Sequence, residues 1–135
     1  MIWMRSSSRG GRERLPLSAA TRKPALIADD TAIARSAVIR RLVSEGVPCV
    51  EATSAASASV VDPASLSCAL LDLDLGDGNG VDVAVALRGR CPELPIAFFT
   101  AGTSSDVMSR ATALAPVFGK PDDLDRAIAW VKASA

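Results

Sequence analysis

The sequence predicts an α/β domain, a doubly wound parallel β-sheet covered by helices on both faces. Two observations predict it. From Pro24 onward short apolar runs alternate with longer segments of helical period, and the alternation repeats through five βα units in order. The runs are Ala25–Ala28, Pro48–Glu51, Cys68–Leu71, Pro95–Phe99 and Pro116–Phe118. Each has the length of a strand, and most are bounded by Pro, Gly or Asp.

The first helix is expected over Ile33–Glu45, with Ile33, Ala37, Arg40–Arg41 and Leu42 at helical spacing and Gly46 as the stop. Thr53–Val61 reads as a weak second helix of Ala and Ser. Val81–Arg90 is a clearer third, carrying Val81, Val85 and Leu87 before Cys91-Pro92 ends it. Ser104–Leu114 supplies a fourth. The fifth, Asp122–Ala133, opens on three aspartates that complement the helix dipole and carries one apolar stripe of Leu124, Ile128 and Val131.

With 135 residues, 49% of them hydrophobic and 22% charged, the chain suits one globular domain with its own core. No run is long and apolar enough for a membrane span, and the arginine- and serine-rich start has no apolar signal core, so a soluble cytoplasmic protein is expected. Cys49, Cys68 and Cys91 are too far apart in sequence for a zinc or redox motif and read as small buried hydrophobes in a reducing compartment. Histidine is absent, which removes the commonest general base and any phosphohistidine from this sequence. Residues 1–23 hold six basic side chains against Glu13 alone and show no apolar period; they are expected to form a disordered basic extension, with the domain over 24–135. That head serves as a solvated tail or as an arm for an acidic partner. The body carries a net charge of −5, a poor surface for nucleic acid.

In an open parallel sheet ligands gather beyond the carboxyl ends of the strands, so the residues that close each strand are informative. Here the first run ends in Asp29-Asp30, the third in Asp72, the fourth in Thr100-Ala101, and the fifth leads into Lys120-Pro121. Carboxylates held about 4 Å apart repel by roughly 4 kcal/mol at an effective dielectric near 20, so such a cluster needs a cation. Oxygen ligands without His or Cys favour Mg²⁺ or another hard ion, which shares phosphate oxygens readily. A carboxylate can itself attack phosphorus to give an acyl phosphate once metal and lysine neutralise the transferring oxygens. Asp72 fits that role, placed after the apolar run CALL and before the glycine-rich LGDGNG, where backbone can approach closely. Lys120 would pair with Asp72 and then with its phosphate, and Thr100 would hydrogen-bond a phosphate oxygen. Paired aspartates at a strand end serve as well as helix N-caps, here before Thr31–Ala34; the specificity lies in all these residues closing the right runs in order.

ALIADD, LLDLDLGDGNG, IAFFTA and FGKP together resemble the receiver domain of response regulators, from Pro24 to about Ala133. The resemblance implies a five-stranded CheY-like (flavodoxin-like) sheet of order 2-1-3-4-5 with five helices, in a single-domain two-component switch that catalyses only its own phosphorylation and dephosphorylation. It implies Asp72 as phosphoacceptor, Asp30 as a direct Mg²⁺ ligand with Asp29 acting largely through water, and the Asp74 main-chain carbonyl as a further ligand. Thr100 and Lys120 match the family's switch hydroxyl and lysine. Val117 departs from the pattern, because many receivers carry there an aromatic ring that turns inward behind the threonine. Phe118 would point to the other face and cannot replace it. Asp74 is a second departure, with an acidic side chain overhanging the phosphate; Asp74→Asn is expected to alter the rate of dephosphorylation.

The partners this implies are a sensor histidine kinase or histidine phosphotransfer protein as donor and a protein target met by the face of the fourth helix, fifth strand and fifth helix. No membrane or direct nucleic-acid contact is expected, and no attached effector. A homodimer through that face requires Leu124, Ala127 and Ile128 to be partly exposed rather than core. Two other readings compete. Asp72-Leu73-Asp74-Leu75 resembles the DxDx nucleophile of haloacid-dehalogenase-type phosphatases, but that family opens on DxDx and places its acidic pair last. The other is a receiver-shaped docking module that no longer uses phosphate, against which the full acidic set, Thr100 and Lys120 argue.

Overall fold

The computed structural model describes residues 22–135. Its elements run β1 (Ala25–Ala28), α1 (Ala32–Ser44), β2 (Cys49–Ala52), α2 (Ala55–Ser59), a 3₁₀ turn at Pro63–Ser65, β3 (Cys68–Leu71), α3 (Gly80–Arg90), β4 (Ile96–Thr100), α4 (Ser105–Leu114), β5 (Val117–Gly119) and α5 (Leu124–Ser134). The strands form one parallel sheet, as the alternating runs predicted, in the order β2-β1-β3-β4-β5 that the resemblance implied. Among the described residues no helix is long and apolar enough to cross a membrane. The expected extension over 1–23 lies outside the described residues except for Arg22 and Lys23. Arg22 donates to the Gly46 carbonyl at 2.7 Å.

Strand alternation splits the core into two layers. Ala25, Ile27, Cys68, Leu70, Ala97, Phe99 and Phe118 face α1 and α5, meeting Val38, Leu42, Ala127, Ile128 and Val131. Leu26, Ala28, Ala69, Leu71, Ile96 and Phe98 face the other way, toward α2, α3 and α4. Val117 belongs to this second layer and Phe118 to the first, so the two side chains do take opposite faces. β1 and β3 are fully buried, which is why they read as unbroken apolar runs.

Helix faces differ from expectation in two places. The buried residues of α1 are Val38 and Leu42, whereas Ile33 is 83% exposed. At 3.6 residues per turn Ile33 stands about 140° round the helix from Val38, so it cannot share the stripe. On α3, Val81, Val83, Ala84 and Leu87 are buried while Val85 faces solvent. Of the cysteines only Cys68 is buried; Cys49 and Cys91 are half-buried, and burial pushes the Cys49 thiol up to about 11.

The boundaries shift for local reasons. α2 starts at Ala55 because Ser54 caps it, accepting from the Ser57 N–H while the Ser57 hydroxyl accepts from the Ser54 N–H. α5 starts at Leu124 rather than Asp122 because the Asp123 carboxylate turns back to accept the Gly119 N–H at 2.8 Å. Ala127 and Ile128 are core and Leu124 is packed against it, which removes the exposed apolar patch that homodimerisation through them required.

Candidate functional site

Parallel strands carry their carboxyl ends to one rim, and hydrogen bonds fix the register there. Asp29 N–H donates to Ala52, Asp72 N–H to Ala28, and Lys120 N–H to Thr100. Asp29 (4% exposed) and Asp72 (8%) are buried, while Asp30 beside them is exposed. One carboxylate oxygen from each of Asp29, Asp30 and Asp72 lies within 4.8 Å of the others. Lys120 reaches across this group. Its ammonium donates to Asp29 Oδ2 at 2.6 Å and to Asp72 Oδ2 at 3.0 Å, and lies 5.5 Å from the centroid of the Phe99 ring. Burial pulls the lysine pKa down, but hydrogen bonds to Asp29 and then Asp72, with their charges, outweigh it and raise the value. Lys120 is therefore a fixed cation at neutral pH; the stability it contributes is complete below its ordinary range and is lost only as pH climbs through the raised value.

The structure thus brings Asp29, Asp30, Asp72 and Lys120 together. Asp29 Oδ1 also accepts the Thr31 N–H at 2.9 Å, so the aspartate pair does shape the turn into α1. Thr31 is the N-cap position and makes no side-chain cap bond, so capping alone does not explain the pair. Thr100 closes β4 at 3% exposure, but its hydroxyl is engaged with Gly102, accepting that N–H at 3.2 Å. Asp74 is exposed; its N–H donates to Asp72 Oδ1 at 3.3 Å and its carboxylate accepts the Gly76 N–H. The bridge between Asp74 and Asn79 is held by Leu75 N–H to Gly78 and Gly80 N–H to Leu73, and neither bond uses the Asp74 carbonyl. An all-oxygen donor set of this compactness, with net negative charge beside one lysine, fits a hard divalent cation that keeps some of its waters.

Three residues hold this rim in place, of which the sequence reading caught only Gly80, as part of the glycine-rich loop. Gly80 begins α3 against the backbone at Asp72, so close that a Cβ there would fall 2.3 Å from the Asp72 carbonyl oxygen. Arg35, in the first turn of α1, donates to the Asp29 carbonyl and to Glu51. Asp77 accepts the N–H groups of Ala55 at 2.7 Å and Ala56 at 3.0 Å, tying α2 to the loop after Asp72, and these bonds hold its carboxyl below the usual range. Cation placement signals one of them in the sequence, because an arginine in a first helical turn opposes the dipole and so points to another task.

Asp77→Ala is expected to speed hydrogen exchange across Ala55–Ser59 while leaving α5 unchanged, a comparison that amide exchange measured by NMR makes directly. In the unmodified protein the same protection is complete above the unfolded carboxylate value and fades as pH falls through the lowered one. Equal exchange rates in variant and parent would show that α2 does not depend on this clamp.

A model of the response regulator receiver domain matches residues 25–128, and the chain belongs to that family. It is a receiver of the two-component signalling type, with the CheY-like fold. Among solved structures it is similar to the non-phosphorylated HemR receiver domain from Leptospira biflexa, at 24% identity over 84% of this chain and 94% of that one, with a TM-score of 0.73. It is also similar to a response regulator receiver protein from Sinorhizobium medicae, at 21% identity over 82% and 92% with a TM-score of 0.72. A third is a Burkholderia pseudomallei response regulator whose structure holds a phosphorylated aspartic acid, a calcium ion and citrate, at 21% identity over 83% and 72% with a TM-score of 0.69. No curated protein matches the chain.

Proposed function

We propose that Asp72 takes a phosphoryl group from a phosphohistidine on a separate kinase or phosphotransfer protein, in a reaction that needs Mg²⁺ held by Asp29, Asp30, Asp72 and the Asp74 carbonyl. The single observation that carries this reading is Lys120 bridging Asp29 and Asp72 within a group of three carboxylates. These 135 residues contain no histidine, so the phosphohistidine lies outside them. The Burkholderia relative, with its phosphorylated aspartic acid and a divalent ion, supports the same chemistry.

An Asp72 oxygen attacks phosphorus in line, the P–N bond to the donor imidazole breaks, and the imidazole leaves with the bonding pair and is neutralised by a proton. The product is a mixed anhydride. Lys120 holds the acceptor and afterwards a phosphoryl oxygen, and a divalent ion held by Asp29, Asp30 and Asp72 would supply neutralising charge for the transferring group. Thr100 leaves Gly102 to donate its hydroxyl to the phosphoryl group, coupling phosphate to the loop before α4. The output is a change in protein contacts through α4, β5 and α5, and the setting is cytoplasmic. Val117 supplies no ring to follow the threonine inward, so the signal travels through the β4–α4 loop.

Acetyl phosphate with Mg²⁺ is expected to add the mass of one phosphoryl group to the intact protein, and EDTA to prevent it. No adduct at saturating Mg²⁺ would favour the phosphate-independent docking module, and steady release of inorganic phosphate from generic esters the phosphatase. Asp74→Asn is expected to change the lifetime of the adduct, followed by mass after the phosphodonor is removed, without changing its stoichiometry.

A further inference from the structure

We propose that Arg35 is a positioning residue for the Asp30 carboxylate, an inference that rests on the cation site proposed above. Asp29 is held at every polar atom: its N–H on Ala52, Oδ1 on Thr31, Oδ2 on Lys120 and its carbonyl on Arg35 Nη1 at 2.8 Å. Asp30 has no such support. Its carboxylate accepts no hydrogen bond from the described residues and is exposed, with Gly76 leaving open the space beside Oδ2. The direction in which its side chain leaves the backbone is therefore set by the two peptides that flank it: the one after it is held through the Thr31 N–H on Asp29 Oδ1, and the oxygen of the one before it is the acceptor Arg35 grips.

The grip is built rather than incidental. The Arg35 side chain is only 13% exposed although Glu51, its ion-pair partner at 2.8 Å, is 55% exposed. Nε is spent on Glu51 of β2 and Nη1 on Asp29 beyond β1, so the planar fork spans two adjacent strands and fixes one angle between them. A cation in the first turn of α1 opposes the helix dipole, and the two contacts account for its presence.

Charge and position predict opposite signs. Removing a positive charge that sits on the Asp29 carbonyl tightens binding of a divalent cation at the neighbouring carboxylates, whereas releasing the Asp29–Asp30 peptide weakens it. Supporting groups behind metal ligands are typically worth ten- to a hundredfold in affinity. Calorimetric titration of the whole protein with MgCl₂ alone, well below its melting temperature, should therefore show Arg35→Met binding about tenfold more weakly than the parent. Arg35→Lys keeps the charge but loses the fork, and should bind at least roughly threefold more weakly. Arg35→Met binding as tightly as the parent, or more tightly, overturns the proposal. Should that variant fail to fold, Arg35→Lys decides, an unchanged affinity overturning it. Failure of the underlying site looks different: the parent then shows no Mg²⁺ heat that Asp30→Asn abolishes.

Discussion

Lys120→Met is expected to lower the stability of the metal-free protein by about 3 kcal/mol, the usual cost of removing one partner from a buried ion pair. Lys120 is the cation within hydrogen-bond reach of both Asp29 and Asp72, and its side chain is largely withdrawn from water. Without it two buried carboxylates face Asp30 uncompensated, and roughly 4 kcal/mol of repulsion for each pair at about 4 Å favours opening of the rim. Bound Mg²⁺ is expected to take over the missing charge. Urea unfolding in EDTA and in Mg²⁺ should show a large loss in the first and a small one in the second, with Mg²⁺ binding to the variant tightened about tenfold. A variant as stable as the parent in EDTA would mean that the rim carboxylates are already neutral or solvated, and the electrostatic description of the site would be wrong.

Gly80→Ala has an effect of similar size from a different cause. The added methyl would sit 2.3 Å from the Asp72 carbonyl oxygen and 3.1 Å from its carbon, both of them backbone atoms that no rotamer change can move away. Overpacking of this kind costs typically 1–3 kcal/mol, and the absence of a flexible neighbour puts the expected loss at about 3 kcal/mol, or roughly 10 °C in melting temperature. The favourable helix propensity of alanine returns only a fraction of that. What survives folded is displaced at the acceptor, so the rate of phosphorylation by acetyl phosphate should fall by more than the unfolded fraction explains. A control at Gly89, where a Cβ meets nothing, should be neutral or slightly stabilising. Calorimetric melting of the two alanine variants side by side checks both expectations, and equal melting temperatures would contradict the packing described for the loop.

Much of this was legible in the residues themselves. β1 and β3 are buried on both faces, so ALIA and CALL read as unbroken apolar runs, and Asp29, Asp72 and Lys120 were visible because each follows such a run. Gly46 marked the end of α1, and Asp122 and Asp123 marked the approach to α5, though Asp123 serves the Gly119 amide rather than a helix turn. Ile33 was misassigned because an apolar residue near the start of a helix does not reveal which way the helix is rotated; packing of Val38 and Leu42 on the sheet decides that. Asp77 stayed hidden because its work is done on the Ala55 and Ala56 backbone, of which side-chain patterns carry no record; Arg35 is signalled only by a cation placed against the helix dipole, and Gly80 was legible only as part of the glycine-rich loop. Thr100 closes β4, and its hydroxyl's bond to Gly102 was not legible because it depends on the path of the loop after β4.

The most direct measurement is chemical mapping of the phosphoryl group. Protein treated with acetyl phosphate and Mg²⁺ is reduced with borohydride, which converts an aspartyl phosphate to homoserine, and its peptides are sequenced by mass spectrometry. Homoserine at position 72 and nowhere else is the expected result, absent when EDTA is present. Homoserine at Asp29, Asp30 or Asp74 with Asp72 intact would contradict the assignment of the acceptor.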